Sequence, residues 1–214
     1  MIVIIGIPVR RRDASGSQLA GSPALAALAA ARTGERVELV GKTGDDPAGD
    51  DVVLALTQAG VGHAALLRDP ARVTPQIGGD ADDADLLADG NEDQRLTDGA
   101  RDRSGWPALE PEDVELALRY LPDVRTIVVA EAVNAGVLGV AADAARYAGA
   151  RLVVAASTPD AVPGADLVLA PPQDDDGAFG GLLGELAAAL ERGADVEDAF
   201  TQVRARLGVE PSSS

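Results

Sequence analysis

Three places in the chain bring together residue types that could do chemistry. Gly41-Lys42-Thr43 follows an apolar run, as a phosphate loop would, where backbone N–H groups and a lysine cradle a polyphosphate. Glu131 ends the run Val128-Val129-Ala130, and a carboxylate at the end of a strand faces the crevice where open α/β sheets bind ligands. Gly177-Ala178-Phe179-Gly180 opens an apolar helical pattern, and the bare N–H groups of a helix start attract anions, which makes Gly177, Ala178 and Gly180 candidate anion or phosphate contacts. Each has a plainer alternative. The Walker pattern needs a glycine at position 36, which is Arg36, so Gly41-Lys42-Thr43 is no phosphate loop. Glu131 could be a solvated loop acid, and Asp174-Asp175-Asp176 could themselves satisfy the helix start after them. His63, the only histidine, has no neighbour in sequence to orient it as a base, and one histidine cannot assemble a multi-histidine metal site.

Composition removes further chemistry. There is no cysteine among the 214 residues, so disulfides, thiolate metal sites and thiol nucleophiles are excluded. Asp and Glu number 35 against 18 Lys and Arg, giving a net charge of −17. Such a surface repels nucleic-acid phosphates and anionic lipid, so neither nucleic acid nor membrane is an expected partner. With a single lysine, Lys42, and few aromatics, the composition is that of proteins from salt-loving organisms. Molar salt shortens the Debye length to ~3 Å and screens the repulsion among carboxylates. A GC-rich genome explains the Ala, Gly, Asp and Arg but explains the charge less well. No basic leader or apolar stretch of spanning length is evident, and a cytoplasmic location is expected.

The elements that must position these residues alternate between strand and helix. Residues 2–7 are β-branched and apolar, the mark of a strand buried on both faces. Residues 10–20 read as a polar, exposed excursion. Ser22 as N-cap and Pro23 at the first turn open a helix to Ala31. A strand over 36–40, a helix from Asp46-Pro47 to Ala59, and short strands at 63–67 and 71–77 follow. Residues 79–105 carry nine carboxylates and three arginines and read as a solvated insert; their acidic pairs fail the EF-hand spacing. Beyond it come a capped helix from Glu110 to Leu121, a strand over 126–130, a helix over 135–147, and strands over 151–156 and 167–170. Helices over 177–192 and 196–207 precede a tail at 209–214, so 1–208 form one domain. The pattern predicts a three-layer α/β/α fold with a mostly parallel central sheet.

Two stretches carry a resemblance. Gly21-Ser22-Pro23-Ala24 through Gly34, and Gly41-Lys42-Thr43-Gly44-Asp45-Asp46-Pro47-Ala48-Gly49, resemble the N-terminal half of ribokinase-like (PfkB-type) carbohydrate kinases. That family shows a Gly-rich turn, an Ala-rich helix, a strand and a Gly-Lys-x-Gly-Asp-Asp-x-x-Gly turn. Thr74 falls where the family begins its next core strand with a threonine, and Val128 to Glu131 looks like its strand ending in a substrate-side Glu. Asp176 to Gly193 matches the family's Gly-Ala-Gly-Asp helix without a gap. The resemblance implies ATP-dependent, Mg-assisted phosphorylation of a sugar or nucleoside alcohol, with Gly21 and Glu131 on the substrate side and Gly177, Ala178 and Gly180 around phosphate.

The departures point away from that activity. The family's substrate Asp near the first strand is replaced within Pro8-Val9-Arg10-Arg11, and its turn Asn by Leu25. The general-base Asp aligns with Gly180 and the glycine before it with Phe179. The strands that wall the nucleotide pocket are missing between Pro172 and the last motif, and the lid is cut to residues 10–20. The expected fold is thus a ribokinase type with a reduced lid and a truncated C-terminal half. Three functions remain: a pseudokinase that retains the scaffold for small-molecule binding or assembly, without a catalytic residue, cofactor or metal; an active sugar or nucleoside kinase with ATP and Mg; and a structural or regulatory subunit. The first and third are favoured. A sheet edge near 165–182 is expected to be covered by a second copy, as a homodimer, or by a partner.

Overall fold

A computed structural model describes residues 1–13, 16–78, 105–157, 162, 164–172 and 177–207. All of the acidic insert except Gly105, the acidic triplet 174–176 and the tail 209–214 lie outside the described residues.

The sheet is built around β1 (Ile2–Ile5), whose side chains are all fully buried. A strand with no solvated face has to be apolar at every position, which is why its sequence does not alternate. β4 (Val37–Gly44) and β7 (Thr126–Val129) flank it, both parallel, with Ile2 opposite Val37 on one side and Thr126 on the other. β5 (Leu66–Asp69) extends the sheet beyond β4. β8 (Arg151–Ala155) and β9 (Leu167–Leu169) extend it beyond β7, in the order β5-β4-β1-β7-β8-β9, every pair parallel. β9 is a half-buried outer strand, at the edge where an interface is expected.

The pleat sends alternate side chains to two cores. Ile2, Ile4, Leu39, Val128 and Val153 face α1 (Ser22–Arg32), α2 (Pro47–Gln58), α5 (Ala178–Glu191) and α6 (Val196–Leu207). Val3, Ile5, Ile127, Val129 and Val154 face α3 (Pro111–Tyr120) and α4 (Ala135–Ala148). Three layers result, as the alternating pattern predicts. The α1–α5 contact explains the scarcity of large side chains: Ala26, Ala27 and Ala30 meet an α5 face where a Cβ on Gly184 would land on the Ala26 carbonyl oxygen and within 2.7 Å of the Ala29 Cβ. Two backbones this close leave room only for Ala and Gly.

The structure corrects the sequence reading in three places. Residues 10–20 are mostly exposed, as expected, but carry pairing that was not expected: β2 (Val9–Asp13) and β3 (Gly16–Ala20) form an antiparallel hairpin. The strand expected over 71–77 shrinks to β6 (Gln76–Ile77), which pairs in parallel with β2 rather than joining the main sheet. An amphipathic code does not reveal these elements because the hairpin is exposed and its pairing is mostly between backbones. The N-cap of α1 is Gly21, not Ser22. Among the described residues no helix is long and apolar enough to cross a membrane.

Candidate functional site

The first strand ends at the C-terminal edge of the sheet in Gly6, where the chain turns with φ 153°. A Cβ there would strike the Pro23 ring of α1 and lie 3.1 Å from Glu131 Oε1, so only glycine lets the end of β1, the start of α1 and the end of β7 converge. Glu131 Oε1 accepts the Ile7 N–H at 2.5 Å, which fixes its carboxylate beside the β1 turn. Gly21 stands opposite with φ 78°, and a Cβ on it would lie only 3.0 Å from Val9 Cγ2. Trp106 to Leu109, Ala132 to Asn134, Ala155 and Pro171 complete the wall of a cleft of about 610 Å³.

The cleft brings together two of the residues expected from the sequence, Gly21 and Glu131. It adds residues that the sequence reading missed or explained otherwise. Trp106, expected to pin the acidic insert, is a half-buried wall of the cleft. Asn134 also lines it, but its amide is committed at both ends: Oδ1 accepts the Val137 N–H at 2.9 Å as the N-cap of α4, and Nδ2 donates to the Leu109 carbonyl at 3.2 Å. An Asn just before an apolar helical run is a readable cap signal. Its place in the cleft depends on residues 25 positions away and carries no local mark.

Gly177, Ala178 and Gly180 are not among the lining residues of the cleft. Gly177 is the N-cap of α5 with φ 102°. A Cβ on it would lie 2.8 Å from Leu25 Cδ1; one on Gly180 would lie 2.7 Å from Leu25 Cβ and 3.0 Å from the Ser22 carbonyl oxygen. Phe179 is buried in the same core as the α1 alanines. The helix start is therefore packed onto α1, with Leu25 against the glycines, and Gly177, Ala178 and Phe179 each have interactions of their own. Gly180 brings no side chain that could accept a proton.

The nine-position turn from Gly41 serves a different end. Asp46 caps α2 by accepting the Gly49 N–H at 2.8 Å, and also accepts the Thr74 N–H and hydroxyl at 2.8 and 2.7 Å. Thr74 Oγ1 accepts the Gly44 N–H at 3.0 Å, and Arg68 donates to the Gly44 carbonyl at 3.1 Å and to Asp50 at 2.7 Å. Burial alone would raise the Asp46 pKa, but the Thr74 and Gly49 hydrogen bonds and the Arg68 guanidinium carry it below the ordinary aspartate value. Thr74 is buried here just ahead of β6, not at the head of a core strand. Lys42, the lysine of the false phosphate loop, is held 2.5 Å from Asp113 Oδ2 at the start of α3. Thr43 Oγ1 is buried and has no hydrogen-bond partner among the described residues. Among the described residues no three His, Asp or Glu side chains converge as they do around a metal ion.

No family model matches the sequence, and the curated proteins give no match. Solved structures do. An uncharacterized sugar kinase from Pyrococcus horikoshii aligns over 97% of this chain and 91% of its own, with TM-score 0.64 and 13% identity. A PfkB protein from Polaromonas sp. JS666 aligns over 97% of this chain and 99% of its own, with TM-score 0.62 and 16% identity. Ribokinase from Arabidopsis thaliana, in complex with ribose and ATP, aligns over 96% and 90% with TM-score 0.63 and 13% identity. At such identities the likeness establishes the fold: the chain has the three-layer ribokinase-like fold of PfkB carbohydrate kinases.

Proposed function

We propose that this protein uses the ribokinase-like scaffold to bind a small molecule in the cleft beside Gly21 and Glu131, and that it does not transfer phosphate. The packing of α5 onto Leu25 carries the reading. In the resembled family the position of Gly180 holds a base and the turns around it hold phosphate. Here a side chain at Gly180 would run into Leu25 and the Ser22 carbonyl, and one at Gly177 into Leu25, so this helix start has no room for a base. In this reading the role of Gly177, Ala178 and Gly180 is helix packing, and ATP and Mg are not cofactors. Losing a positioned base costs ~10²–10⁴ in rate, and phosphoryl transfer asks little of a protein except positioning and charge stabilisation. The cleft itself remains, with a carboxylate at its floor and a volume of about 610 Å³, within the range of small-molecule sites.

The test is calorimetric titration with ATP and a coupled ADP assay on ribose, fructose and adenosine at high salt. Neither binding at micromolar affinity nor turnover is expected. Gly180→Asp restores nothing and lowers the melting temperature, because the new side chain meets Leu25 and Ser22. ATP-dependent turnover by the unaltered chain would overturn the reading in favour of an active kinase.

A further inference from the structure

The walls of the cleft say what kind of molecule it suits. Ile7, Val9, Pro23, Trp106, Pro107 and Leu109 make it largely apolar. Among its described lining residues Glu131 is the only ionisable side chain, and the other polar side chains are Ser22 and Asn134. Both ends of the Asn134 amide are already bonded within the protein. A polyhydroxylated ligand would therefore press most of its hydroxyls against proline, valine and indole, and burying a hydroxyl without a partner is costly. A phosphorylated ligand would set its charge beside a carboxylate on a chain of net charge −17.

A protonated nitrogen on an apolar body meets none of these objections. A carboxylate offers about four lone-pair sites, so the bonds it already accepts do not exhaust it. A cation is also what an indole face attracts, tryptophan more strongly than any other side chain. The negative field of the whole chain concentrates cations. We infer that the cleft takes a compact organic amine, a protonated nitrogen carried on an aromatic or alicyclic body, with the nitrogen at Glu131 and the body against Trp106 and the apolar wall. This rests on the reading of the cleft as a binding site.

Trp106 is the only tryptophan in the chain, so its fluorescence reports on the cleft alone. The probes are phenethylamine, its uncharged isostere 2-phenylethanol, ribose and ADP, each titrated at ~1 M KCl, where a Debye length of ~3 Å screens unspecific attraction. Phenethylamine is expected to give a saturable change and a Kd at least about tenfold below that of 2-phenylethanol, with ribose and ADP silent. Glu131→Gln keeps an oxygen for the Ile7 N–H and should erase the preference for the amine over the alcohol. Val133→Lys, on the half-buried wall, is a second variant that should abolish amine binding without touching Glu131. Equal affinity for amine and alcohol, a preference that survives both variants, or tighter binding of ribose or ADP overturns the amine inference while leaving a binding cleft in place. Silence of Trp106 toward every probe, with no heat in calorimetry, overturns the binding-site reading and the inference with it.

Discussion

Two glycine-rich segments lead into helices on the same side of the sheet, and they use their glycines for opposite ends. Between Gly41 and Gly49, a Cβ on Gly44 would lie 2.6 Å from the Thr74 nitrogen and 2.7 Å from Asp46 Oδ2, and one on Gly49 would lie 2.6 Å from the Gly44 carbonyl oxygen. The space is filled by polar groups, every one of them in a hydrogen bond that ties β4, α2, β5 and the chain before β6 together. Between Gly177 and Gly184 the space is filled by Leu25 and by the small-residue face of α1. The first segment is a hydrogen-bonded knot and the second an apolar seam. A glycine pattern tells that something comes close; only the neighbour tells whether that something is a ligand, a carboxylate or a leucine.

Substitutions should separate the two segments. The largest effect is expected in the seam. Gly184→Ala drives a methyl into the Ala26 backbone, and backbone cannot rotate away, so the loss should reach about 3 kcal/mol or more and show as a strongly lowered thermal midpoint. A midpoint within a few degrees of the parent would mean that α1 and α5 can slide apart.

Asp46→Ala comes next. It removes a helix cap and leaves Thr74 short of a partner, a loss of about 2–3 kcal/mol by chemical denaturation. Asp46→Asn keeps a capping oxygen and should lose less. The two also differ with pH. Because the folded pKa of Asp46 lies below its unfolded value, the carboxylate contributes stability at pH values above the unfolded pKa of about 3.9, and that contribution fades as pH falls through the lower folded value. The acid limb of the stability curve should therefore be shallower in Asp46→Asn than in the parent, and identical slopes would show that this carboxylate does not titrate with folding.

The smallest effect has the opposite sign. Thr43 hides a hydroxyl without a partner among the described residues, so Thr43→Val should raise stability by about 1 kcal/mol. A loss would reveal a bonded hydroxyl at that position.

The main sheet and its helices were legible because their signals are local: β-branched runs, the Asp46-Pro47 and Glu110-Pro111 starts, and Gly149 after α4. The hairpin β2–β3 was not, since its arginines and glycine carry no apolar alternation and its pairing is between backbones, with β6 more than fifty residues away adding to it. At the site, Glu131 was expected from its strand-end position and Gly21 only from the resemblance, and both line the cleft. Trp106 was not, because it lies beyond the insert and reaches the cleft only through tertiary folding. Gly180 was visible as a missing base, while the leucine packed over it was visible only as a missing asparagine.

The small sheet is held like a cantilever. Its root is the Arg10 N–H on the Pro75 carbonyl at 2.9 Å, next to the knot at Thr74, together with the Arg10–Asp51 ion pair. Its two leads into the body, Gly6 and Gly21, both carry positive φ. The far anchor of the small sheet passes through Thr74 and Asp46 into α2. The mouth of the cleft and the stiffness of α2's first turn are mechanically in series: loosening the knot should soften the rim over Val9 and Gly21 without disturbing the floor at Glu131.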